Sequence, residues 1–175
     1  MSSAYLTAAN FQSTDTVTLA RNLIGKQLVT TDPNGNRQAY PITETEAYDG
    51  PDDLACHASK GRTQRTEVMF GPAGHWYVYL VYGMHEMLNL VTGPADYPAA
   101  ILIRGVEGIS GPGRLTKRLG IDRRFNAKPA TPTTGLHLED APPIPDSQIL
   151  ATPRIGVDYA GPDWSQRPYR FLLKT

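Results

Sequence analysis

The sequence predicts an α+β fold: a single domain over residues 1–175, built on a curved, mostly antiparallel β-sheet flanked by short helices. Three observations predict it. Strand-like runs follow one another without the strict strand–helix alternation of a parallel sheet. Helical periodicity occurs in only two short stretches. Fifteen prolines and sixteen glycines in 175 residues divide the chain into short elements joined by fixed turns.

The elements follow in order. Residues 16–24 place Val17, Ala20, Leu23 and Ile24 on one helical stripe, with Asp15 or Thr16 as N-cap and Gly25 as the stop. Residues 26–31 and 38–48 read as strands joined across Pro33-Asn34-Gly35, whose Asn-Gly pair suits a tight hairpin. Residues 49–65 are polar and rich in Gly, Pro and Asp, and are expected to form a loop. Phe70 to Gly74 is turn chemistry ahead of the strongest β signal in the chain, residues 76–82, dense in aromatic and β-branched side chains. Gly83-Met84 turns that strand back through residues 87–92. A further strand is expected at 99–104 and a short helix at 114–119, with Pro112 near its start and Gly120 just past its end. Residues 129–153 read as proline-rich connection and 169–174 as a closing strand. No internal repeat is evident.

Seventeen basic and seventeen acidic residues cancel, so net charge gives no indication of a nucleic-acid partner. The distribution is uneven. Between Arg104 and Lys128 seven basic residues face only Glu107 and Asp122, whereas Glu44, Glu46, Asp49, Asp52 and Asp53 have no basic neighbour in sequence. Cys56 is the only cysteine, which excludes an intrachain disulfide and a cysteine-based zinc site, and the four histidines lack paired spacing. No metal and no cofactor are expected. The amino terminus lacks a basic and apolar leader pattern, and no run of eighteen apolar residues occurs, so a cytoplasmic chain without membrane association is expected.

In the strand 38–48, even positions share a face, which puts Tyr40, Ile42, Glu44, Glu46 and Tyr48 together, with Glu44 and Glu46 about 7 Å apart. On a wet face these would be ordinary solvated glutamates; on a buried face, repulsion and desolvation would raise one or both pKa values. The aromatic hairpin alternates tyrosines with Val and Leu, so phenol rings fall on whichever face holds the acids. A cleft of flat rings beside a carboxylate suits a planar base stacked for attack at its sugar.

Several strings then carry a resemblance: Glu44-Thr45-Glu46-Ala47-Tyr48, His57-Ala58, Met69-Phe70, Tyr77-Val78-Tyr79-Leu80-Val81-Tyr82-Gly83-Met84-His85, Leu88-Asn89, Ile103-Arg104 with Glu107, Ser110-Gly111-Pro112-Gly113-Arg114-Leu115 and Arg154-Ile155-Gly156-Val157. In order and spacing, from about residue 15 to the end, the chain resembles the alkyladenine (3-methyladenine) DNA glycosylase family. The resemblance implies a base-excision-repair enzyme, monomeric, whose partner is double-stranded DNA containing a damaged purine. It implies that the β-hairpin protrudes and enters the minor groove. By position, Glu46 would activate the attacking water and Arg104 would hold nucleotide or water beside it. Tyr48, His57 and Tyr79 would sandwich the extruded purine, and Asn89 would sit where a C2 amino group must pass. Tyr82 would fill the gap left in the duplex, with Met84 beside it at the hairpin tip, and Arg114 at the helix start would meet a phosphate.

The chain departs from the family's longer members in being much shorter between Glu107 and Gly111, in carrying Glu86-Met87 near the hairpin, and in lacking an evident asparagine around Arg65-Thr66-Glu67. No lysine occurs in the Glu46, Tyr48 or hairpin segments to act as a Schiff-base nucleophile, so hydrolysis without strand cleavage is expected. Two other function classes fit parts of the sequence. A non-catalytic DNA-binding module using a minor-groove wedge explains Tyr82 and the basic excess but not the facing acids. A small-molecule nucleoside or glycoside hydrolase explains the acids but not the basic segment.

Overall fold

The structure is a computed structural model and describes residues 4–175. Helix α1 (Thr16–Asn22) starts where the Asp15 carboxylate accepts the Thr18 backbone N–H at 3.1 Å, satisfying one of the donors that a helix start leaves open. Ala20, Leu23 and Ile24 then bury against the sheet. Strand β1 (Gln27–Thr31) leads into β2 (Arg37–Tyr48) through a turn held by Asp32, whose side chain accepts the backbone N–H groups of Asn34 and Asn36.

Strand β2 organises the molecule because it changes partners along its length. Residues 37–41 pair with β1, whereas the stretch after Pro41 pairs on one side with β5 (Ala99–Val106) and on the other with β9 (Arg170–Leu173). Pro41 stands at the changeover, where the absence of an N–H is tolerated. Strands β3 (Trp76–Val81), β4 (His85–Thr92), β5, β2, β1 and β7 (Leu136–Glu139) lie in that order. The short β6 (Ile109–Ser110) folds back on β5, and β8 (Ile149–Thr152) lies outside β9. Every pairing is antiparallel, and the sheet is curved, as expected.

Helix α2 (Pro112–Leu119) covers β4 and β5, burying Leu115, and begins two residues earlier than expected because Pro112 occupies its first turn. Helix α3 (Gly161–Trp164) is a single turn before β9. Period-2 alternation along β3 to β5 feeds two apolar layers. Trp76, Val78, Leu88, Leu90, Ile101 and Ile103 enter the main core with α1 and α2, whereas Tyr77, Val91 and Ala100 pack with Cys56, Ala58 and Met69 on the other face.

Two expectations need correction. Residues 129–153 are not simply connection, since β7 and β8 lie within them. Leu136 and Leu138 do alternate and are fully buried, but four residues among prolines make a weak signal. The even positions of β2 do not all share one face either. Ile42 enters the main core with Ala47, while Glu44, Glu46 and Tyr48 face the second layer. Register shifts on both sides of Glu44 add the irregularity that reverses the alternation there.

Candidate active site

Directly opposed residues of neighbouring antiparallel strands point to the same side, about 4.8 Å apart. One such row crosses five strands: Tyr77 opposes Asn89, Asn89 opposes Leu102, Leu102 opposes Glu46, and Glu46 opposes Arg170. The adjacent row brings Tyr48 opposite Ala100, and Ala100 opposite Val91. The second face of the sheet thus carries aromatic rings at one end and carboxylates at the other.

Glu46 has no exposed surface. Its Oε1 accepts the Tyr48 hydroxyl at 2.9 Å and lies 3.7 Å from an Arg104 guanidinium nitrogen, and its Oε2 accepts the Ile155 backbone N–H at 2.7 Å. Burial raises its pKa above the ordinary carboxylate value. Arg104, the Ile155 N–H, the Tyr48 hydroxyl and Arg154 oppose that rise in descending order. Glu44 plays a different part: its Oε1 accepts the Arg104 Nε at 2.9 Å and the Arg170 Nε at 2.7 Å, so it fixes the arginine that stands beside Glu46.

The rings close the other end. A narrow cavity of about 10 Å³, room for roughly one water molecule, is lined by Tyr48, His57, Met69, Tyr77, Tyr79, Asn89 and Ala100. His57 and Tyr79 meet edge to face, with centroids 4.6 Å apart and planes at 67°, and Tyr79 lies 5.1 Å from Tyr77. The His57 Nδ1 lies 3.3 Å from the Tyr77 hydroxyl. Burial, reinforced by the charges of Arg65 and Lys60, pushes the imidazole pKa down to about 4, which keeps the ring neutral at pH 7. Burial likewise pushes the Tyr77 phenol up to about 12 and raises that of Tyr79, so both stay protonated. Asn89 donates its amide to the Tyr77 and Met87 carbonyls at 3.2 and 3.3 Å, leaving its oxygen free.

Of the residues singled out in sequence, Glu46, Tyr48 and Arg104 are brought together around one carboxylate, and Tyr48, His57, Tyr79 and Asn89 around one cavity. The remaining three lie outside it. Tyr82 and Met84 occupy the turn between β3 and β4 and are 92% and 69% exposed. Arg114 is exposed in the first turn of α2. Where α2 meets the hairpin base, a Cβ on Gly113 would approach the exposed His85 ring to 2.9 Å, so a larger residue there would displace that ring.

The site also contains residues to which the sequence reading gave no role. Asp53 and Arg154 form a fully buried ion pair, with N–O distances of 2.5 and 3.0 Å. Arg170 shares Glu44, and the Ile155 amide supplies a hydrogen bond that no side-chain pattern announces. A signal existed only for the pair: Asp53 stood in the acidic run and Arg154 opened one of the family strings, with nothing to link them. Among the described residues, no group of three or more His, Cys, Asp and Glu side chains is placed to hold a metal ion, and no helix is long and apolar enough to cross a membrane. Larger open depressions beside α1 and beside the β1–β2 turn lie away from these carboxylates.

The comparison with known families bears on this arrangement. A family model described as methylpurine-DNA glycosylase matches residues 10–111 and 108–175. The chain belongs to the methylpurine-DNA glycosylase family. The two matched segments meet at residues 108–111, where the shortened stretch closes as the two-residue turn between β5 and β6. A relative in Myxococcus xanthus is 47% identical over 174 residues, covering 94% of this chain and 88% of its own. Another in Methanocella arvoryzae is 47% identical over 186 residues, covering 95% and 91%. A third in Legionella pneumophila is 43% identical over 171 residues, covering 94% and 92%. All three are provisionally named 3-methyladenine DNA glycosylase. In the methylpurine-DNA glycosylase fold seen here, the row of side chains from Tyr77 to Glu46 lies on the second face of the sheet.

Proposed function

We propose that this chain extrudes a damaged purine from duplex DNA and hydrolyses its N-glycosidic bond with a water deprotonated by Glu46. One observation carries the reading: Tyr48 belongs to both halves of the site, its ring lining the aromatic cavity and its hydroxyl donating to Glu46 at 2.9 Å. A base stacked on that ring holds its sugar carbon next to the carboxylate.

The steps balance. Glu46 takes a proton from water, the water oxygen bonds to C1′, and the C1′–N bond breaks with its electron pair passing to the base. The intermediate sugar is oxocarbenium-like, and the Glu46 charge stabilises it. A cationic alkylpurine leaves without further help. A neutral base such as hypoxanthine must gain a proton or hydrogen bond as it departs. His57, neutral at pH 7, accepts a cationic base without repulsion, and Tyr48 and Tyr79 offer π faces to it. No lysine lines the cavity, which supports hydrolysis without a covalent imine and without strand cleavage. At the far end, Tyr82 at the tip of the β3–β4 turn enters the minor groove and occupies the vacated stack, with Met84 beside it. Arg114 at the start of α2 neutralises a phosphate.

The deciding experiment incubates the protein with duplexes that each carry one ethenoadenine, hypoxanthine, 3-methyladenine analogue or uracil. Abasic sites are expected from the purine lesions, with strand breaks only after alkali. Tight, salt-sensitive binding of every duplex with no base released would replace this reading with a non-catalytic DNA-binding module.

A further inference from the structure

Arg154 sits at a junction. Its side chain is fully buried, and its two terminal nitrogens make four hydrogen bonds. Two of these go to Asp53. One goes at 2.9 Å to the carbonyl of Ala47, the residue after Glu46, and one at 3.1 Å to the carbonyl of Trp164. The guanidinium also lies 5.1 Å from the ring centroids of both Tyr48 and Tyr169. Asp53 in turn accepts the backbone N–H groups of Asp49 and Ala55, fixing the loop that leads to His57. The residue following Arg154 is Ile155, whose N–H is bonded to Glu46.

We propose that the Asp53–Arg154 pair is a positioning device that holds the Ile155 amide against Glu46 and thereby sets the proton affinity of that carboxylate. The inference rests on the reading of Glu46 as general base. The pair joins the end of β2 and the Asp49–Ala55 loop that follows it to Arg154 and the last residue of α3, 101 residues or more further along the chain. Only a forked cation bound on several sides can do this. The charged and titratable groups facing Glu46 are Glu44 and Tyr48 from β2, Arg104 from β5, Arg170 from β9, Tyr79 from β3, Tyr159 from the turn before α3, and Arg154 itself. Of these, Arg104 is already held by Glu44, so the Arg154–Ile155 segment is the contact that can be loosened separately.

The test is the acid limb of excision from a duplex carrying 7-methylguanine, measured in single turnover against pH. Arg154→Lys keeps the positive charge but cannot serve Asp53 and two carbonyls together. Its acid limb should move up by about one pH unit, so activity below the wild-type midpoint falls roughly tenfold while the high-pH plateau drops much less. A limb that stays in place while only the plateau or the melting temperature falls makes the pair merely structural and overturns the proposal. If Arg154→Lys does not fold, the wild-type Ile155 amide proton shift takes its place. It should titrate in one step at the pH of the acid limb, and the step should vanish in Glu46→Gln; an amide that ignores this step overturns the proposal. Excision at the wild-type rate by Glu46→Gln would instead refute the general-base reading itself, so the two failures are distinguishable.

Discussion

A carboxylate with no exposed surface stays ionised only if fixed dipoles and charges replace the water it has lost, and Glu46 meets a hydroxyl, an amide and a guanidinium. With Glu46 as the proposed base, its pKa, raised by burial, should set the acid limb of the reaction, with activity appearing as pH rises through it. A cationic alkylpurine should then give a rising limb with a plateau, and hypoxanthine a bell, because the neutral base needs a proton as it leaves. Glu46→Gln can still accept from the Ile155 N–H, and its new NH₂ can donate to the Tyr48 oxygen, so shape and binding persist while basicity is lost. Single-turnover excision should fall by roughly 10²-fold or more with lesion binding retained. Glu44→Gln weakens the fixing of Arg104 and should cost far less; if it is the more damaging of the two, the base has been misassigned by two residues. Asn89 is held by two backbone carbonyls, so its position in the cavity is set by the sheet. Asn89→Ser should raise excision of 7-methylguanine relative to hypoxanthine by making room for a C2 amino group, and an unchanged ratio would remove Asn89 from specificity.

At the scale of elements, the turn joining β3 to β4 combines exposure with backbone strain. Tyr82 has φ 52 and Gly83 φ 66, the two central residues of the β-turn that the Met84 N–H closes on the Val81 carbonyl at 3.1 Å. Glycine adopts such angles freely, whereas a tyrosine there costs on the order of 1–2 kcal/mol. Tyr82→Gly should therefore leave the melting temperature unchanged or raise it, yet reduce excision from duplex DNA by about tenfold or more, since base stacking contributes roughly 1–3 kcal/mol. A variant equal to wild type at subsaturating enzyme would sink the wedge assignment. The hairpin was legible because aromatic and β-branched residues crowd 76–82, although the strand ends at Val81 and places Tyr82 in the turn. Strand β7 was not legible, because four alternating residues between prolines give too short a period to measure. The reversed face at Ile42 had no local signal: a bulge depends on which partner strand lies opposite.

For the whole molecule, chain order suggested that the carboxylates and tyrosines belong together, but only the strand order β3-β4-β5-β2 puts Tyr77 and Glu46 in one row. The Asp53–Arg154 contact spans 101 residues and follows from no local pattern. The closed, largely buried site has a consequence for stability against pH. His57 has a folded pKa of about 4 against an ordinary value of 6.5. Between those values the unfolded chain binds a proton that the folded chain refuses, so this residue lowers stability as pH falls from about 6.5 to about 4, and no further below that. Glu46 acts oppositely. Its folded pKa lies above its ordinary value of 4.5, so its contribution is fully present below 4.5 and is lost as pH rises through the folded pKa. In wild type the two partly cancel. Glu46→Gln removes the compensating group, and its melting temperature should fall more steeply than wild type between pH 6.5 and 4. His57→Gln removes the opposing group, and the same plot should flatten. Melting curves of the three proteins across this window decide it: a His57→Gln slope equal to that of wild type would mean that His57 takes up its proton without resistance, and that burial is not what keeps its ring neutral below pH 6.5.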